Sequence, residues 1–217
     1  MVKNIITKIL DLLFPNSCIG CKIKNTPLCD ECISKIGETS YNTPSVTSVF
    51  CYKDTVIKKS IWSLKYNNNK NISTVFAKML YDRMLEDLSD EKIFSDFEKS
   101  LLIPIPLSKK SRKIRGYNHA ELIAIEISKL DNNNSFTLSK NVLYKIKDTP
   151  SQVSIKDKKE RLKNLKGCFF VKDNEKISNK NIILIDDVTT TGATINEARK
   201  TLLAAGAKKV IAFTVAH

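Results

Sequence analysis

The sequence predicts an α/β protein with a parallel sheet and a small N-terminal four-cysteine module. Two patterns predict it. Residues 181–214 read as strand, turn, helix and strand, and Cys18, Cys21, Cys29 and Cys32 form two C-x2-C pairs within fifteen residues. A chain of 217 residues can hold one α/β domain of ordinary size plus such a module.

The first strand is Ile182, Ile183, Leu184 and Ile185, a continuous apolar run suited to a strand buried on both faces. Asp186 and Asp187 stand at its end, followed by Val-Thr-Thr-Thr-Gly-Ala-Thr over 188–194. Ile195, Ala198, Leu202 and Ala205 mark one face of a helix, Gly206 ends it, and 210–215 is the next strand. The turn of such a βαβ unit lies at the carboxyl end of a parallel strand, where open α/β sheets bind ligands. Gly192 permits close approach of backbone to ligand, and successive N–H groups at the helix start attract an anion. The hydroxyls of Thr190, Thr191 and Thr194 can donate to phosphate oxygens. Two carboxylates would repel a phosphate, but they suit the vicinal hydroxyls of a sugar or a divalent cation. A sugar phosphate with free hydroxyls meets both demands. An ordinary turn with N-capping threonines needs no acid pair in front of it.

In the cysteine module, each knuckle can aim two thiolates at one ion, and two knuckles complete a tetrahedral sulfur site. Gly20 and Asp30 suit tight turns, and the seven-residue spacer leaves room for a small hairpin. A segment this short buries little core, so a bound metal would supply much of its folding free energy. The symmetric double knuckle fits zinc best. Iron–sulfur ligation stays open, whereas disulfides suit a reducing compartment poorly and a redox dithiol needs only one pair. Cys51 and Cys168 stand alone and read as small core residues.

Hydrophobic residues make up 42% and charged residues 27% of the chain, which places it in the globular class. No run approaches the ~18–20 apolar residues of a membrane span. Lys8 and Asp11 interrupt the apolar stretch 4–14, and no small-residue cleavage site follows it. Ile5, Ile6, Ile9, Leu10 and Leu13 instead predict a short amphipathic helix, and with it a cytoplasmic location. The net charge of +13 is uneven: residues 105–166 carry about +9, opening with Lys109, Lys110, Arg112, Lys113 and Arg115. Such a block attracts polyanions through counterion release. It equally suits a lysine-rich solvated surface, and both readings stay open here.

Elsewhere, 101–106 reads as a strand ended by prolines, 108–118 as a basic loop and 120–130 as an amphipathic helix. Residues 41–52 suggest a hairpin, and 57–64 and 72–88 helices around a basic turn at 65–70. The expected role of this region is a hood over the ligand site with Lys65 near it. Trp62 and Tyr66 read as core aromatics, and His119 as a locally packed or hydrogen-bonded residue.

Residues 182–194, Ile-Ile-Leu-Ile-Asp-Asp-Val-Thr-Thr-Thr-Gly-Ala-Thr, resemble the phosphoribosyl pyrophosphate (PRPP) motif of type I phosphoribosyltransferases. That resemblance implies a type I phosphoribosyltransferase fold. It also implies that Asp186 and Asp187 hold ribose hydroxyls while Thr189, Thr190, Thr191, Gly192, Ala193 and Thr194 hold the 5′-phosphate. Thr190 stands where some members carry an Asp that serves as base, a task a threonine hydroxyl does not perform near neutral pH.

Further motifs narrow the resemblance. They are Leu-Ile-Pro-Ile-Pro-Leu at 102–107, Arg112-x2-Arg115-Gly-Tyr-Asn, Ala120-Glu-Leu and Ser63-Leu-Lys-Tyr66. Thr149-x2-Gln152, with Arg161, Asn164, Gly167 and Phe169 downstream, and a Leu-Phe-Pro before the four cysteines complete the set. Together they are similar to the ComF/GntX group along essentially the whole chain, with His119 where Gln is typical. The resemblance implies pyrophosphate binding at Arg112, Arg115 and Gly116. It also implies a loop at 149–166 that closes over PRPP, bringing Arg161 or Lys163 to the developing charge. The implied organisation is a helix and zinc module over 1–40 and a phosphoribosyltransferase-like domain over 41–217, divided into a hood at 41–100 and a core at 101–217. The implied cofactors are structural zinc and Mg²⁺ with PRPP. The implied role is DNA uptake in natural transformation, with single-stranded DNA and a helicase or other uptake component as partners. An active transferase of unidentified acceptor, or a PRPP-sensing regulator, are the other functions the same residues allow.

Overall fold

The computed structural model describes residues 17–37, 39, 42–89, 97, 99–148 and 165–217. The expected N-terminal amphipathic helix, and Thr149, Gln152, Arg161, Lys163 and Asn164 of the expected closing loop, lie outside the described residues.

The elements in chain order are α1 (Asp30–Ser34), β1 (Asn42–Thr43), β2 (Val46–Phe50), α2 (Thr55–Tyr66) and α3 (Ile72–Asp87). They continue with β3 (Ser100–Pro104), α4 (Lys109–Arg115), α5 (His119–Leu130), β4 (Phe136–Leu138), β5 (Leu143–Lys145) and β6 (Phe169–Val171). The last three are β7 (Asn181–Val188), α6 (Ala193–Ala204) and β8 (Lys209–Ala216). A six-stranded sheet runs β1-β2-β8-β7-β3-β4, parallel throughout except for β1, which forms an edge hairpin with β2. β5 and β6 make a separate antiparallel ribbon.

Alternation along β7 explains the two cores. Ile183 and Ile185 face a cluster with Phe213, Val215, Phe76, Leu80 and Ile123, which buries the inner faces of α2, α3 and α5. Ile182 and Leu184 face the opposite cluster, with Ile195, Ala198 and Leu202 of α6 and Phe169 of the ribbon. A strand buried on both sides must be apolar at every position, as this one is until Asp186.

Within 41–100, the expected hood, β2 pairs in parallel with β8 of the main sheet and α3 packs on the sheet's face. Two expectations change here. The basic stretch 108–118 is a short helix, α4, and not a loop. Ser108 caps its start, accepting from the Ser111 N–H at 3.2 Å, and Gly116 ends it in the left-handed region at φ +77°. Trp62 and Tyr66 are not core aromatics. They stand one turn apart on the outer face of α2, 55% and 57% exposed, with ring centroids 5.5 Å apart. The buried face of α2 is Ile57, Ile61 and Leu64, and one stripe of a helix cannot include 62 and 66 as well. Cys168 is buried as expected, but Cys51 is only half-buried.

Phe76, fully buried between α3 and the sheet, sets the scale for this core. Truncation to Ala should cost about 3–5 kcal/mol, while Trp62→Ala should stay within about 0.5 kcal/mol. Urea unfolding of the two variants checks the contrast.

Candidate functional site: an acid pair, a phosphate-loop turn and a four-cysteine cluster

The same alternation that builds the two cores splits the acid pair. Asp187, buried, continues the row of Ile183 and Ile185 and meets Lys65 from the end of α2, Nζ to Oδ2 at 2.8 Å. That approach still leaves Oδ2 without a well-directed hydrogen bond. Asp186, half-buried, continues the row of Ile182 and Leu184, and its Oδ1 accepts from the Asp187 N–H at 2.9 Å. Burial pushes the Asp187 carboxyl up, but Lys65 outweighs it, with His119 and Arg115 helping, and holds it below its ordinary value. Among the described residues Asp186 has no such close cation. Burial first, and then the neighbouring Asp187 charge, push it up to about 7. Lys65 is held charged by the carboxylates against the effect of its own burial.

Beyond the pair, the chain turns where the sequence expects it to. The Thr189 N–H donates to the Ala216 carbonyl at 2.9 Å, and Gly192 takes φ +71° at the start of α6, a conformation that penalises any Cβ. The Thr191 hydroxyl accepts from the Ala193 N–H at 3.4 Å. Thr189, Thr190, Thr191, Gly192, Ala193 and Thr194 thus form one turn leading from the acid pair to the helix N-terminus, the geometry of an anion cradle beside hydroxyl acceptors.

The structure brings Arg115 and Gly116 to the same region, in a cleft they share with Lys65. Tyr117 donates to the Leu64 carbonyl at 2.5 Å and Asn118 to the Ile105 carbonyl at 2.9 Å, which fixes this turn between α2 and β3. Arg112 does not join them; it lies on the exposed side of α4 and pairs with Glu121 at 3.5 Å. Arg161 and Lys163 lie outside the described residues. Two groups not assigned to the site from sequence stand near it. Burial holds Lys145 of β5 below the ordinary lysine value, while the charge of Asp186 acts in the opposite sense. The signal was alternation: Leu143 and Lys145 share a strand face while Tyr144 faces out. His119 is 2% exposed, edge-on to Tyr117, with Nε2 lacking a hydrogen-bond partner. Burial lowers its pKa to about 4, so it is neutral at physiological pH. The arrangement offers hydroxyl or cation acceptors at one end, phosphate donors at the other and cations between.

The four module sulfurs lie within 4.8 Å of one another. Cys18 and Cys21 sit on a turn closed by the Lys22 N–H to the Cys18 carbonyl at 3.0 Å, and Cys32 rides on α1, which Cys29 precedes. Gly20 is needed for space, since a Cβ there would meet the Cys32 Sγ at 2.6 Å. Asp30 opens α1 and is not a turn residue. Burial raises the Cys18 thiol, but backbone donors, led by Cys29, bring it to about 6. Cys32 is pushed up to about 12 by burial and by the neighbouring sulfurs. Sulfurs crowded in this way suit a cation that would offset the repulsion of their thiolates, and these four could hold one.

The acid pair should be visible in stability. In the unfolded chain Asp186 ionises near 3.8, and in the folded chain near 7. Folding therefore takes up a proton between those values, so this group subtracts stability as pH rises from about 4 to about 7, and fully above that. Asp186→Asn should gain on the order of a few kcal/mol at pH 8, with the gain shrinking toward pH 4. Lys65→Met should move the other way at pH 8, by about 3 kcal/mol, because it strands a buried charge. Urea unfolding at pH 8 and pH 4.5 measures both; equal effects of Asp186→Asn at the two pH values would contradict the assignment.

The phosphoribosyl transferase domain family matches residues 115–217. Competence protein ComFC of Bacillus subtilis is 33% identical over 77% of this chain and 62% of its own length. Competence protein F of Haemophilus influenzae is 29% identical over 89% of this chain and 86% of its own. The chain thus spans less than two thirds of the Bacillus relative. Among solved structures, a hypoxanthine phosphoribosyl transferase of Trypanosoma cruzi is 8% identical, with a TM-score of 0.41 over 65% of this chain and 63% of that one. With the four-cysteine cluster already described, these matches make the chain a relative of the competence proteins ComFC and F that carries a phosphoribosyl transferase domain over 115–217.

Proposed function

We propose that this protein serves DNA uptake in natural transformation as a cytoplasmic PRPP-binding protein that also holds single-stranded DNA. The observation that carries the PRPP reading is the acid pair at the end of β7 followed by the Gly192 turn into α6. Asp186 and Asp187 would accept the ribose hydroxyls, and Thr189–Thr194 would surround the 5′-phosphate. Arg115 and Gly116 would face the pyrophosphate, where a guanidinium matches phosphate oxygens. Mg²⁺, when bound, would neutralise pyrophosphate charge, and the acid pair is the nearby set of hard oxygen donors. Arg112 is a weaker pyrophosphate candidate, being paired with Glu121. Arg161 and Lys163 keep the closing role that the family resemblance implies.

The uptake role is supported by the names of the relatives, both competence proteins. The DNA reading is supported by charge, since Lys109, Lys110 and Lys113 stand exposed on α4 and pair with no acid among the described residues. Transferase activity is a companion reading, favoured by the intact acid pair. Thr190 in place of an acidic base argues against base-assisted transfer to a purine, and the acceptor is unassigned. A helicase or another uptake component is the natural protein partner for a DNA-handling role.

The PRPP reading predicts that Asp186→Ala with Asp187→Ala abolishes binding of Mg²⁺-PRPP in a protein that still melts cooperatively. Isothermal calorimetry checks it, and unchanged affinity in the folded double variant would overturn the assignment.

The module is proposed to hold one structural zinc through Cys18, Cys21, Cys29 and Cys32. Elemental analysis should return one zinc per chain, and Cys29→Ser should lower that content and loosen chiefly residues 17–37 in hydrogen exchange. A disulfide between any two of these cysteines in protein from a freshly reduced lysate would sink the proposal.

A further inference from the structure

Two clefts meet along the seam between the cysteine module and the main domain. The larger, about 630 Å³, runs from Ile19 and Lys22 of the module to the Asn67–Asn71 turn that follows α2. The smaller, about 310 Å³, runs from Lys65 and Tyr66 to Arg115 and Tyr117. Asn68 and Lys70 line both, so the two form one continuous groove. Lys22, Lys65, Lys70 and Arg115 line it, and among the described residues no acidic one does. Its potential therefore selects an anion. The larger cleft is lined mostly by polar groups, which suits a ligand with many hydrogen-bonding groups more than an apolar one.

Aromatic rings stand at the same place. Tyr66 lines the smaller cleft, Trp62 lies beside it at 5.5 Å, and both are more than half exposed. Cations already approach the ring faces: the Arg115 guanidinium lies 5.9 Å from the Tyr66 centroid, and Lys70 Nζ lies 4.9 Å from that of Tyr117. Rings alternating with cations along a polar groove answer to a polyanion that carries flat π-faces. Phosphates track the positive charge while bases stack on the rings, a mode indifferent to sequence because every base has a face to offer.

We infer that this groove is a single-stranded nucleic acid site, with Trp62 and Tyr66 as its base-stacking platform and Lys22, Lys70 and Arg115 as its phosphate contacts. The inference rests on the proposed single-stranded DNA binding but moves its centre from the α4 lysines to the α2 face. The strand then passes beside Lys65 and so beside the acid pair, which puts the two ligands of the proposed function within one network of charges. The asparagine side chains at 67–69 and 71 face the same cleft and supply donors and acceptors for base edges.

Trp62 is the single tryptophan of the chain, so its emission reports on this site alone. The test uses the full-length, zinc-loaded protein with oligo(dT) and an abasic oligonucleotide of equal length as probes. Oligo(dT) should quench Trp62 emission saturably, and the abasic strand should bind at least about fivefold more weakly. Trp62→Ala and Tyr66→Ala should each weaken oligo(dT) binding, read by anisotropy, by about fivefold or more, with unchanged melting temperature. Trp62→Phe keeps a ring and should retain most of the affinity. Binding that leaves Trp62 emission unchanged, or equal affinity for the abasic strand, overturns the stacking site. If such binding is weakened instead by Lys109→Ala, Lys110→Ala and Lys113→Ala together, with a flatter salt dependence, the DNA reading stands and only this groove falls. No binding to either strand at low salt overturns both.

Discussion

Two adjacent carboxylates at the end of a buried central strand are electrostatically expensive, and the arrangement around the site answers that cost. Ionised side by side in a poorly solvated place they would repel each other and lack water. The strand's alternation separates them onto opposite faces, and each face supplies a different answer. On one face Lys65 pairs directly with Asp187, keeping one negative charge in place. On the other Asp186 stays protonated to about neutrality, and Lys145 offers more distant compensation. A pair divided in this way holds one fixed charge and one adjustable one. Such a pair is poised for a ligand that brings a cation, or hydroxyl groups able to donate, to the same edge.

Delivering Lys65 to that edge depends on contacts far from it. Asp54 caps α2, accepting from the Val56 and Ile57 N–H groups at 2.8 and 3.0 Å, and the helix then runs toward the carboxyl end of the sheet. Tyr117 bonds the last turn of α2, and Asn118 bonds the end of β3. These two neighbouring residues clamp α2 and β3 with the Arg-Gly-Tyr-Asn turn between them. The module is also tied in, because Cys18, Leu28 and Ile36 share the core cluster of Phe76 and Leu80. Zinc or another ion at the four sulfurs would therefore be felt through the packing of α2 and α3, and not only within the module.

Much of this was legible in the sequence because the signals were local. The Ile182–Ile185 run, the acid pair, Gly192 and the helical spacing of Ile195, Ala198 and Leu202 all lie within one βαβ unit. The paired cysteine spacing likewise brought four sulfurs together. What was missed required either partners distant in sequence or a weaker local code. Val46–Phe50 reads as one arm of a hairpin, and only its register against β8 makes it a sheet strand. Trp62 and Tyr66 were assigned by hydrophobicity, although Ile57, Ile61 and Leu64 already fill the inner stripe of α2. The α4 segment lacks apolar periodicity, so charge outweighed the two signals that were present, a serine cap and a terminating glycine. Lys145 was hidden because a lysine seldom marks the inward face of a strand.

The position of β8 has a consequence for how the molecule comes to be folded. It lies between β2 and β7, and the buried Ser48 and Thr214 hydroxyls, 166 residues apart in sequence, meet at 2.7 Å across the β2–β8 pair. Until β8 has left the ribosome, β2 has no parallel neighbour and one edge of β7 is bare. The first half of the chain therefore waits through synthesis with β2, and its Val46 and Phe50 side chains, lacking the parallel neighbour, in the company of α3 and the cysteine knuckles. Non-local parallel pairing of this kind closes slowly, and an uncovered strand edge invites association with other chains. Early closure of the cysteine module around an ion would shelter part of that surface, giving the metal a role in biogenesis as well as in the finished fold.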